Sequence, residues 1–563
     1  MTSLYSSLRY LLLATFWLAS STALALNPSD FDLSELTDEE WQKALVFSES
    51  SSRTELVSAI NAALALMQSN HLPDQLSPLQ QLLNLYGAQF LLVEDRLVNL
   101  WVRYYVRLHE NDLDLPNELS TAALQQSFLQ LADFQINDNE SPFSLAPFKR
   151  LIGSAYRANN PHILFQVDAL MRWLPRFYEE QDFSPEMAVF SGDLADIGQF
   201  NEVRWGITSL SGGYVNPDSG ADDNAIPDTL SLHANDSYDD YITPGLTDRV
   251  GNKLPWYFIR GNHDGLGWGN IPLSDEPIRL LGLEFASGTQ GFFNDITTGS
   301  RLILGYNPGF SDFVKFLVSG DKQVPADADR YVLNVEELHD EFFISNGTPY
   351  GHGLALAENN KYRYQFYSAN GKIRHLVFDS NMGVGPQGAI TDEDLLWIEE
   401  QLMAAQVAGE LVVVHSHHKA QDIWGRGKRF KNLLLSYSNV IAHLVGHSHH
   451  NRIKEVQGQG NGYWEIATSA MVNWPQEIRA VSVYFDEQTG VGAIKTWMLI
   501  YRSDSPASMA ERGRFLAYLE SLLGSGGESS GLSGREGGLE DRNRWLPLHR
   551  MGLSPIAVPR SNG

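Results

Sequence analysis

The sequence contains no cysteine among its 563 residues. This absence excludes disulfide bonds, thiolate metal ligands, a cysteine nucleophile and a lipid-modified cysteine anchor. Because a folded form cannot use disulfide bonds, its stability must come from a hydrophobic core. Hydrophobic residues make up 43% of the chain and charged residues 19%, so most of the chain can bury such a core and should be globular.

Positive charge is also scarce. The chain has 41 Lys and Arg residues against 68 Asp and Glu residues, a formal net charge of -27 at pH 7. A surface of this kind repels nucleic acid and anionic lipid, and we therefore predict no nucleic-acid partner. Solubility accounts for most of the acidic excess, and carboxylates gathered around bound cations would account for a smaller share.

Long hydrophobic runs are absent after the first residues of the chain. Near the start, Arg9 precedes an apolar run over residues 11–19, and a small-residue cleavage motif ends at Ala25. The run is shorter than the roughly 20 residues that a membrane-spanning helix needs, which argues against a membrane anchor. We predict a signal peptide over residues 1–25, a mature protein that is periplasmic or secreted, and no membrane-spanning segment.

Three further parts of the chain follow the predicted signal peptide. Residues 26–125 have apolar side chains at helical spacing, and we predict a helical region there. Residues 126–503 alternate short apolar runs with helical segments, the pattern of a layered α/β domain. Residues 504–563 combine a helical segment, a Gly/Ser-rich linker and a tail that either docks on the domain or is disordered. Two stretches near 209–247 and 312–353 are long enough to be insertions in the domain.

Five apolar runs in the α/β domain each end in polar residues that can bind metal. The runs cover residues 128–132, 187–191, 256–260, 411–414 and 440–445. Runs of this length between turn residues are typical of buried strands. Functional groups of α/β sheets lie at the carboxyl ends of their strands, so the polar residues after these runs are the candidates for a site.

Helices and a hairpin complete the predicted domain. Residues 162–180 have apolar side chains on one helical face. A second helix starts at Thr391 with a Thr-Asp variant of the capping box, and Gly409 fits its end. Strands over 480–485 and 491–501, separated by a turn, are predicted to form a hairpin that closes a sheet.

Histidine is concentrated in one part of the chain, since seven of the 16 histidines lie between His415 and His450. Motifs follow the predicted strands in the order Asp-Phe-Gln at 133–135, Gly-Asp-Leu-Ala-Asp at 192–196, Gly-Asn-His-Asp at 261–264, His-Ser-His-His at 415–418 and Gly-His-Ser-His at 446–449. Each motif is a weak signal alone, but several in fixed order after strands are strong. Two divalent ions about 3.5–4 Å apart need such a mixture of a bridging carboxylate, imidazoles and neutral oxygen ligands.

This order of motifs resembles the calcineurin-like metallophosphoesterase superfamily over about residues 126–503. The resemblance implies an α/β fold, a four-layer α/β/β/α sandwich, with the helical N-terminal region added to it. It also implies an enzyme that hydrolyses a small phosphate ester with a hydroxide generated by two divalent metal ions.

The resemblance also implies roles for individual residues. Asp133 and His449 would bind the first metal, with Gln135 as a possible third ligand. Asp193 would bridge the two metals. The second metal would be bound by Asn262, His417 and His447. His263 would protonate the leaving oxygen or stabilise charge on the phosphoryl group, and Asp196 would orient that imidazole.

Gln135 departs from the superfamily pattern, which has histidine at this position. A glutamine carbonyl oxygen is a harder and weaker ligand than imidazole, so the first site would favour Mn, Mg or Ca over Zn or Fe. It is also open whether this side chain binds metal at all. The chain is similar to a subgroup with the same Asp-Phe-Gln start, followed by Glu-Ser-Pro as at 140–142, and with segments like 347–353 and 473–476.

Two further assignments stay open at this point. His415 and His418 are alternatives to His417 as the ligand, because a one-residue change in strand length alters which side chain reaches the metal. We prefer His417, since the superfamily pattern places the ligand first in a His-His or His-Pro pair. Arg260 and Arg479 are candidates for contact with the phosphate, with structural roles as the alternative.

A second function from another class is a non-catalytic, metal-stabilised binding protein in which Gln135 marks a lost metal site. The presence of Asp193, His263, His447 and His449 together argues against it, because a binding protein needs neither a bridging carboxylate nor a general acid. The choice between a phosphomonoester and a phosphodiester, the identity of the metals and the oligomeric state stay open.

Overall fold

The computed structural model describes the chain from residue 116 onward, with gaps. The described residues are 116–138, 141, 157, 159–220, 240–270, 289–290, 322–323, 327–357, 362–381, 383, 385–458, 460–501, 509–511, 513–514, 517, 535 and 537–548. The predicted signal peptide, nearly all of the predicted helical region 26–125 and most of the Gly/Ser-rich linker therefore lie outside the described residues.

Strands and helices alternate along the first part of the described chain, and strands dominate its last part. The strands are β1 (Ala123–Leu131), β2 (Met187–Phe190), β3 (Gly213–Val215), β4 (Tyr241–Thr243), β5 (Trp256–Phe258), β6 (Thr289–Gln290), β7 (Lys322–Gln323), β8 (Arg363–Tyr367), β9 (Ile373–Phe378), β10 (Leu411–His415), β11 (Val440–Val445), β12 (Arg452–Gln457), β13 (Gly462–Ala467), β14 (Glu477–Asp486), β15 (Val491–Ile500) and β16 (Arg544–Pro547). The α-helices are α1 (Ile163–Glu180), α2 (Phe200–Ser211), α3 (Val335–Ile344), α4 (Asp392–Ala408) and α5 (Gly427–Leu435). In the described part of the chain, no helix combines the length and apolar character that crossing a membrane requires.

Two six-stranded mixed sheets form the centre of the fold. The first sheet has the order β16-β15-β14-β1-β2-β5, and the second has the order β12-β13-β11-β10-β9-β8. In the first sheet β1, β2 and β5 are parallel, and in the second β9, β10, β11 and β13 are parallel. The carboxyl ends of parallel neighbours lie at the same edge of a sheet, which brings the loops after these strands together.

Side chains of successive strand residues point to opposite faces, and this alternation builds the layers. On β10, Leu411 and Val413 belong to the core between the sheets, whereas Val412 and Val414 pack in a second core with residues of α4 and α5. On β1, Phe128 contacts the ring of His415 across the sheet interface. The result is the predicted four-layer arrangement, with α1 and α2 on the first sheet and α4 and α5 on the second.

The local signals for α4 are confirmed. The side chain of Thr391 accepts a hydrogen bond from the backbone N–H of Asp394, and Asp394 reaches back to the Thr391 backbone N–H in a capping box. Gly409 ends the helix in the left-handed conformation with φ 71°, which glycine adopts at low cost. The predicted hairpin is also present, as β14 and β15.

Parts of the stretches predicted as insertions pack into the fold. Within the first, α2 continues to Ser211, and β3 pairs with β4. Within the second, α3 buries Phe342 completely against Phe258 of β5, with ring centroids 4.1 Å apart. This helix therefore supports the strand that leads into the motif at 261–264. The limits of the predicted domains stay predictions.

The tail was expected either to dock on the domain or to be disordered. Over its described residues, the tail docks on the first sheet. β16 pairs with β15 in antiparallel register, with Arg544 opposite Thr496. Just before it, the guanidinium of Arg542 donates to the carboxylate of Glu477, and both side chains are almost fully buried. A buried, hydrogen-bonded ion pair fixes the position of both backbones.

Candidate metal centre

The motifs predicted from the sequence meet at one edge of the two sheets, in the loops that follow β1, β2, β5, β10 and β11. Several of the predicted ligands have a left-handed backbone there. They are Asp133 (φ 52°), Gln135 (φ 45°), Asp193 (φ 60°), His447 (φ 62°) and His449 (φ 52°). Such a conformation costs a non-glycine residue about 1–3 kcal/mol and persists only where the surroundings enforce it. Because several residues with this conformation lie together at this edge, the edge is a candidate functional site.

The first ligand group contains Asp133, Asp193 and His449, whose potential ligand atoms all lie within 4.8 Å of one another. All three side chains are nine-tenths or more buried. The Nε2 atom of His449 is 3.3 Å from Oδ1 of Asp133. Two carboxylates and an imidazole in this arrangement form a donor set for a hard or borderline divalent cation.

The amide of Gln135 lies inside the first ligand group. Its Nε2 atom is 3.1 Å from Oδ2 of Asp193 and 3.1 Å from Nε2 of His449. Its Oε1 atom is buried and has no hydrogen-bond partner among the described residues. Because a half-turn of the amide exchanges its oxygen and nitrogen, the same position can hold a carbonyl oxygen facing a cation. The residues present therefore fit a divalent cation, with Gln135 as a neutral oxygen ligand.

The second ligand group contains Asn262, His417 and His447. The Oδ1 atom of Asn262 is 2.9 Å from Nε2 of His417 and 2.9 Å from Nδ1 of His447. Oδ2 of Asp193 is 3.3 Å from Nε2 of His417. The same Asp193 oxygen therefore contacts members of both groups, which is the position that a bridging carboxylate needs.

Hydrogen bonds from the far nitrogens orient two of the imidazoles. Nδ1 of His417 donates to the backbone oxygen of Ser191 over 2.7 Å, and Nδ1 of His449 donates to Oδ1 of Asn473 over 2.5 Å. In both rings this leaves Nε2 facing the other ligands, and Nε2 is the atom that would bind a cation once it carries no proton. Asn473 was missed in the sequence as a functional residue, although its segment, 473–476, stood out as similar to the subgroup.

The structure separates the roles of the three histidines at the end of β10 and just after it. Nε2 of His415 is 2.8 Å from Nδ1 of His375, so His415 lies between the sheets and outside the centre. His418 lies within 4.8 Å of His417 and His447, but Ser380 and the backbone oxygen of Pro386 already bind its two ring nitrogens. His417 is the ring whose Nε2 faces Asp193 and Asn262.

Burial and neighbouring charges shift the acidities of the ligands in opposite directions. Burial raises the pKa of Asp133 well above its usual range. Burial would also raise the pKa of Asp193, but the imidazoles of His417 and His263 hold it well below its usual range. Burial opposes protonation of His417, yet the carboxylate of Asp193 raises its pKa to about 10. A cation at this site would take the place of that proton, because a ligating imidazole must be neutral.

His263 lies beside the two groups with its ring held from one side. Its Nδ1 atom is 2.8 Å from the backbone oxygen of Asp196 and 3.1 Å from Oδ1 of the same residue. Asp196 is itself held by Asn137, which donates to its Oδ2 over 2.9 Å. Burial lowers the pKa of His263, but the charge of Asp193 and the bond with Asp196 outweigh burial and raise it. Nε2 is thereby left for a substrate.

Asp264, the last residue of the motif at 261–264, holds two turns together. Its carboxylate accepts from the backbone N–H groups of Asp193 (2.9 Å), Leu194 (2.8 Å), Ala195 (3.2 Å) and Gly261 (2.8 Å). Burial raises its pKa to about 7. Sequence reasoning gave this residue no role, although its place in the motif was a signal.

A pocket with a volume of about 220 Å³ is lined by ligands of both groups and by His263. Its lining residues are Arg157, Asp193, Asn262, His263, Asn270, Pro386, His447, Ser448, His449, His450 and Arg535. Two arginines are among them, and neither belongs to a motif. No local sequence signal could have identified them.

Neither arginine proposed from the sequence as a phosphate contact lines this pocket. Arg260 forms an ion pair with Asp379 at 2.6 Å and stacks over the ring of Tyr362. Arg479 is completely buried in β14, where it donates to Oγ1 of Thr468 and to backbone oxygens. Both guanidiniums therefore have structural roles, and the two expectations are corrected.

Comparison with known proteins identifies the class. Residues 127–451 match the family model described as calcineurin-like phosphoesterase. Because the match covers more than half of the chain, the chain belongs to the calcineurin-like phosphoesterase family and is a phosphoesterase hydrolase by class. Its similarity to a particular subgroup stays a prediction.

The solved structures that this chain is similar to are distant. A dimetal phosphatase from Danio rerio is 12% identical, with a TM-score of 0.33, and the alignment covers 68% of this chain and 100% of that one. The sulfate thiohydrolase SoxB from Thermus thermophilus, in complex with glycerol, is 11% identical with a TM-score of 0.28, and the alignment covers 72% of this chain and 61% of that one. A search of curated proteins finds no match.

The hydrogen bond from His449 to Asn473 generates a prediction about metal affinity. Asn473→Ala removes the acceptor that fixes the His449 ring, so the affinity for Mn²⁺ should fall by roughly 10- to 100-fold. Asn473→Asp keeps an acceptor and should bind nearly as the wild type does. Calorimetric titration of the metal-free proteins measures both.

Asn432→Ala, at an exposed position on α5, is the matched control and should not change Mn²⁺ binding. Equal affinities for Asn473→Ala and the wild type would contradict the orienting role of Asn473.

Proposed function

We propose that this chain is a hydrolase of phosphate esters that uses two divalent cations, one in each ligand group. One observation carries this proposal: Oδ2 of the buried Asp193 lies 3.1 Å from the Gln135 amide of the first group and 3.3 Å from His417 of the second. A single carboxylate between two sets of neutral and anionic ligands is the donor pattern of two-metal hydrolases.

Each ligand group would hold one cation from the set Mn, Mg, Ca, Fe and Zn. The first group would use Asp133, Gln135 and His449, the second would use Asn262, His417 and His447, and Asp193 would serve both. When bound, the cations would lower the pKa of a water shared between them and offset the negative charge of the phosphoryl group. The amide of Gln135 favours the harder cations Mn, Mg and Ca at the first position.

The chain's own part in the bond-breaking step falls to His263. As the bond between phosphorus and the leaving oxygen breaks and the oxygen of water binds phosphorus, a proton on Nε2 of His263 passes to the leaving oxygen. Asp196 holds Nδ1 of this ring at 3.1 Å and stabilises the protonated imidazole. Asp196 is thus a positioning residue that acts through His263.

A binding protein with a single metal is the competing function. Gln135 in place of an imidazole is the observation that favours it. The buried position of Asp193 between the groups and of His263 beside them favours the enzyme, because neither is needed to hold one structural cation. Two bound cations per chain would support the enzyme, and one would support the binding protein.

We propose further that the protein acts outside the cytoplasm, in the periplasm or as a secreted protein. The support comes from residues 1–25, whose charge, apolar run and small residues are those of a signal peptide. Mass spectrometry of the chain exported by an expression host should find Leu26 as its first residue. A cytoplasmic product that keeps residues 1–25 would contradict the proposal.

The main test is hydrolysis after removal and return of metal. After its metal has been removed with a chelator, the protein should hydrolyse neither p-nitrophenyl phosphate nor bis-p-nitrophenyl phosphate. Addition of one or more of Mn, Mg, Ca, Zn and Fe should restore activity. Asp193→Asn removes the bridging charge and should abolish metal-dependent turnover while leaving the circular dichroism spectrum unchanged.

Asp340→Asn is the matched control for Asp193→Asn, since Asp340 is 81% exposed on α3 and should not affect turnover. Near wild-type turnover in Asp193→Asn would defeat the two-metal assignment, and silence with every metal would favour the binding protein.

The role of His263 predicts a dependence on the leaving group. Phenolate is a poor leaving group unless it is protonated as it leaves, whereas p-nitrophenolate leaves well without a proton. His263→Asn should therefore lower kcat roughly 100-fold or more for phenyl phosphate. The loss for p-nitrophenyl phosphate should be much smaller. Equal losses for both esters, measured at saturating substrate, would assign His263 to charge stabilisation and not to proton transfer.

A further inference from the structure

The C-terminal segment, defined as residues 535 and 537–548, runs beside the loop that carries His449. The backbone N–H of Asn451, two residues after His449, donates to the backbone oxygen of Arg535 over 2.9 Å. The backbone N–H of Ile453 donates to Oδ1 of Asp541 over 2.8 Å. The segment and the ligand loop are therefore joined by direct hydrogen bonds.

Glu477 fixes the C-terminal segment to the centre of the fold. Its Oε2 atom accepts from Nη1 of Arg542 over 2.9 Å and from Nδ2 of Asn451 over 2.8 Å. All three side chains are buried. Because one buried carboxylate holds both the segment and the ligand loop, the start of the segment has a defined position relative to His449.

Arg535, at the start of the C-terminal segment, lines the same pocket as Asp193, Asn262 and His263. Among the described residues that line this pocket, Asp193 is the one acid, whereas Arg157 and Arg535 both bring positive charge. Arg157 is completely buried and lies 3.5 Å from the carboxylate of Asp196, so Asp196 offsets its charge. Arg535 is half-buried and is the arginine that a ligand in the pocket can reach.

The guanidinium of Arg535 brings a positive charge to the lining of the pocket. An anion that enters the pocket is attracted by this charge.

Building on the proposed function, we propose that Arg535 binds the non-bridging oxygens of the substrate's phosphoryl group and makes the site selective for phosphomonoesters. A guanidinium presents paired N–H donors that match two phosphate oxygens. A monoester offers three such oxygens and a charge of about -1.5 to -2 near neutral pH, whereas a diester offers two oxygens and one charge. An additional cation in the pocket therefore strengthens binding of the monoester more than binding of the diester.

The test compares two esters on variants of the full chain loaded with the activating metal. Arg535→Gln should lower kcat/KM for p-nitrophenyl phosphate by roughly 10- to 100-fold, the loss of one charge-assisted contact, and should change kcat/KM for bis-p-nitrophenyl phosphate less than about threefold. Arg535→Lys keeps the charge and should restore part of the loss. Arg452→Gln removes an exposed charge from β12, outside the pocket lining, and should leave both values unchanged.

Binding of inorganic phosphate, measured by calorimetry, gives a readout that does not depend on turnover. Arg535→Gln should bind phosphate at least about tenfold more weakly than the wild type and Arg452→Gln do. Thermal melting of each variant checks that the fold is retained. Equal phosphate affinity in the wild type and Arg535→Gln, or equal losses for the two esters, would overturn this inference.

The outcomes separate this inference from the proposed function. A wild-type chain that hydrolyses neither ester with any metal defeats the proposed function, while weaker phosphate binding by Arg535→Gln would still identify Arg535 as an anion ligand. A wild-type chain that hydrolyses the monoester, with Arg535→Gln equally active on it, keeps the proposed function and defeats the role of Arg535.

Discussion

The hydrogen bonds to the carboxylate of Asp264 hold the turns after β2 and β5 in one arrangement, and the position of the predicted metal ligands depends on them. Asp264 contributes no ligand atom, yet it binds the backbone N–H groups of Asp193 and Gly261 with a single oxygen. The turns approach so closely that a side chain at 261 would place its Cβ 2.1 Å from Oδ1 of Asp193. Glycine is therefore required there, and the left-handed backbone of Asp193 is supported by the bonds that Asp264 accepts.

Local signals account for what could be predicted from the sequence. The five strands before the motifs, the two hairpin strands, the capping box at Thr391 and the glycine at 409 follow from side-chain patterns within a few residues, and the structure has them close to where they were expected. The strands β8, β9, β12 and β13 of the second sheet were not predicted. The motifs after the strands named the residues that now lie together, because parallel strands bring their carboxyl ends to one edge. Even the choice of His417 over its neighbours followed from a short motif.

Interactions between distant parts of the chain could not be predicted in this way. An arginine in a sequence shows its charge but not its partner, and Arg260 and Arg479 were candidates for that reason alone. Asp379 and the carbonyl oxygens around β14 bind them instead. Arg157, Arg535 and Asn473 lie outside the helices and strands, at positions where the sequence has no periodic pattern, and the contribution of α3 to the core depends on packing against β5.

The order of the ligands along the chain affects how the site forms. β1 pairs with β2 on one side and with β14 on the other, so the strand before Asp133 gains its second neighbour only after most of the chain has been synthesised. Contacts between such distant segments form slowly, because the loop between them must first be ordered. A nascent chain that has emerged as far as β5 carries both carboxylates but none of the ligand imidazoles. It cannot assemble either complete donor set, so a whole ligand group is available to a cation only after His447 and His449 have been synthesised.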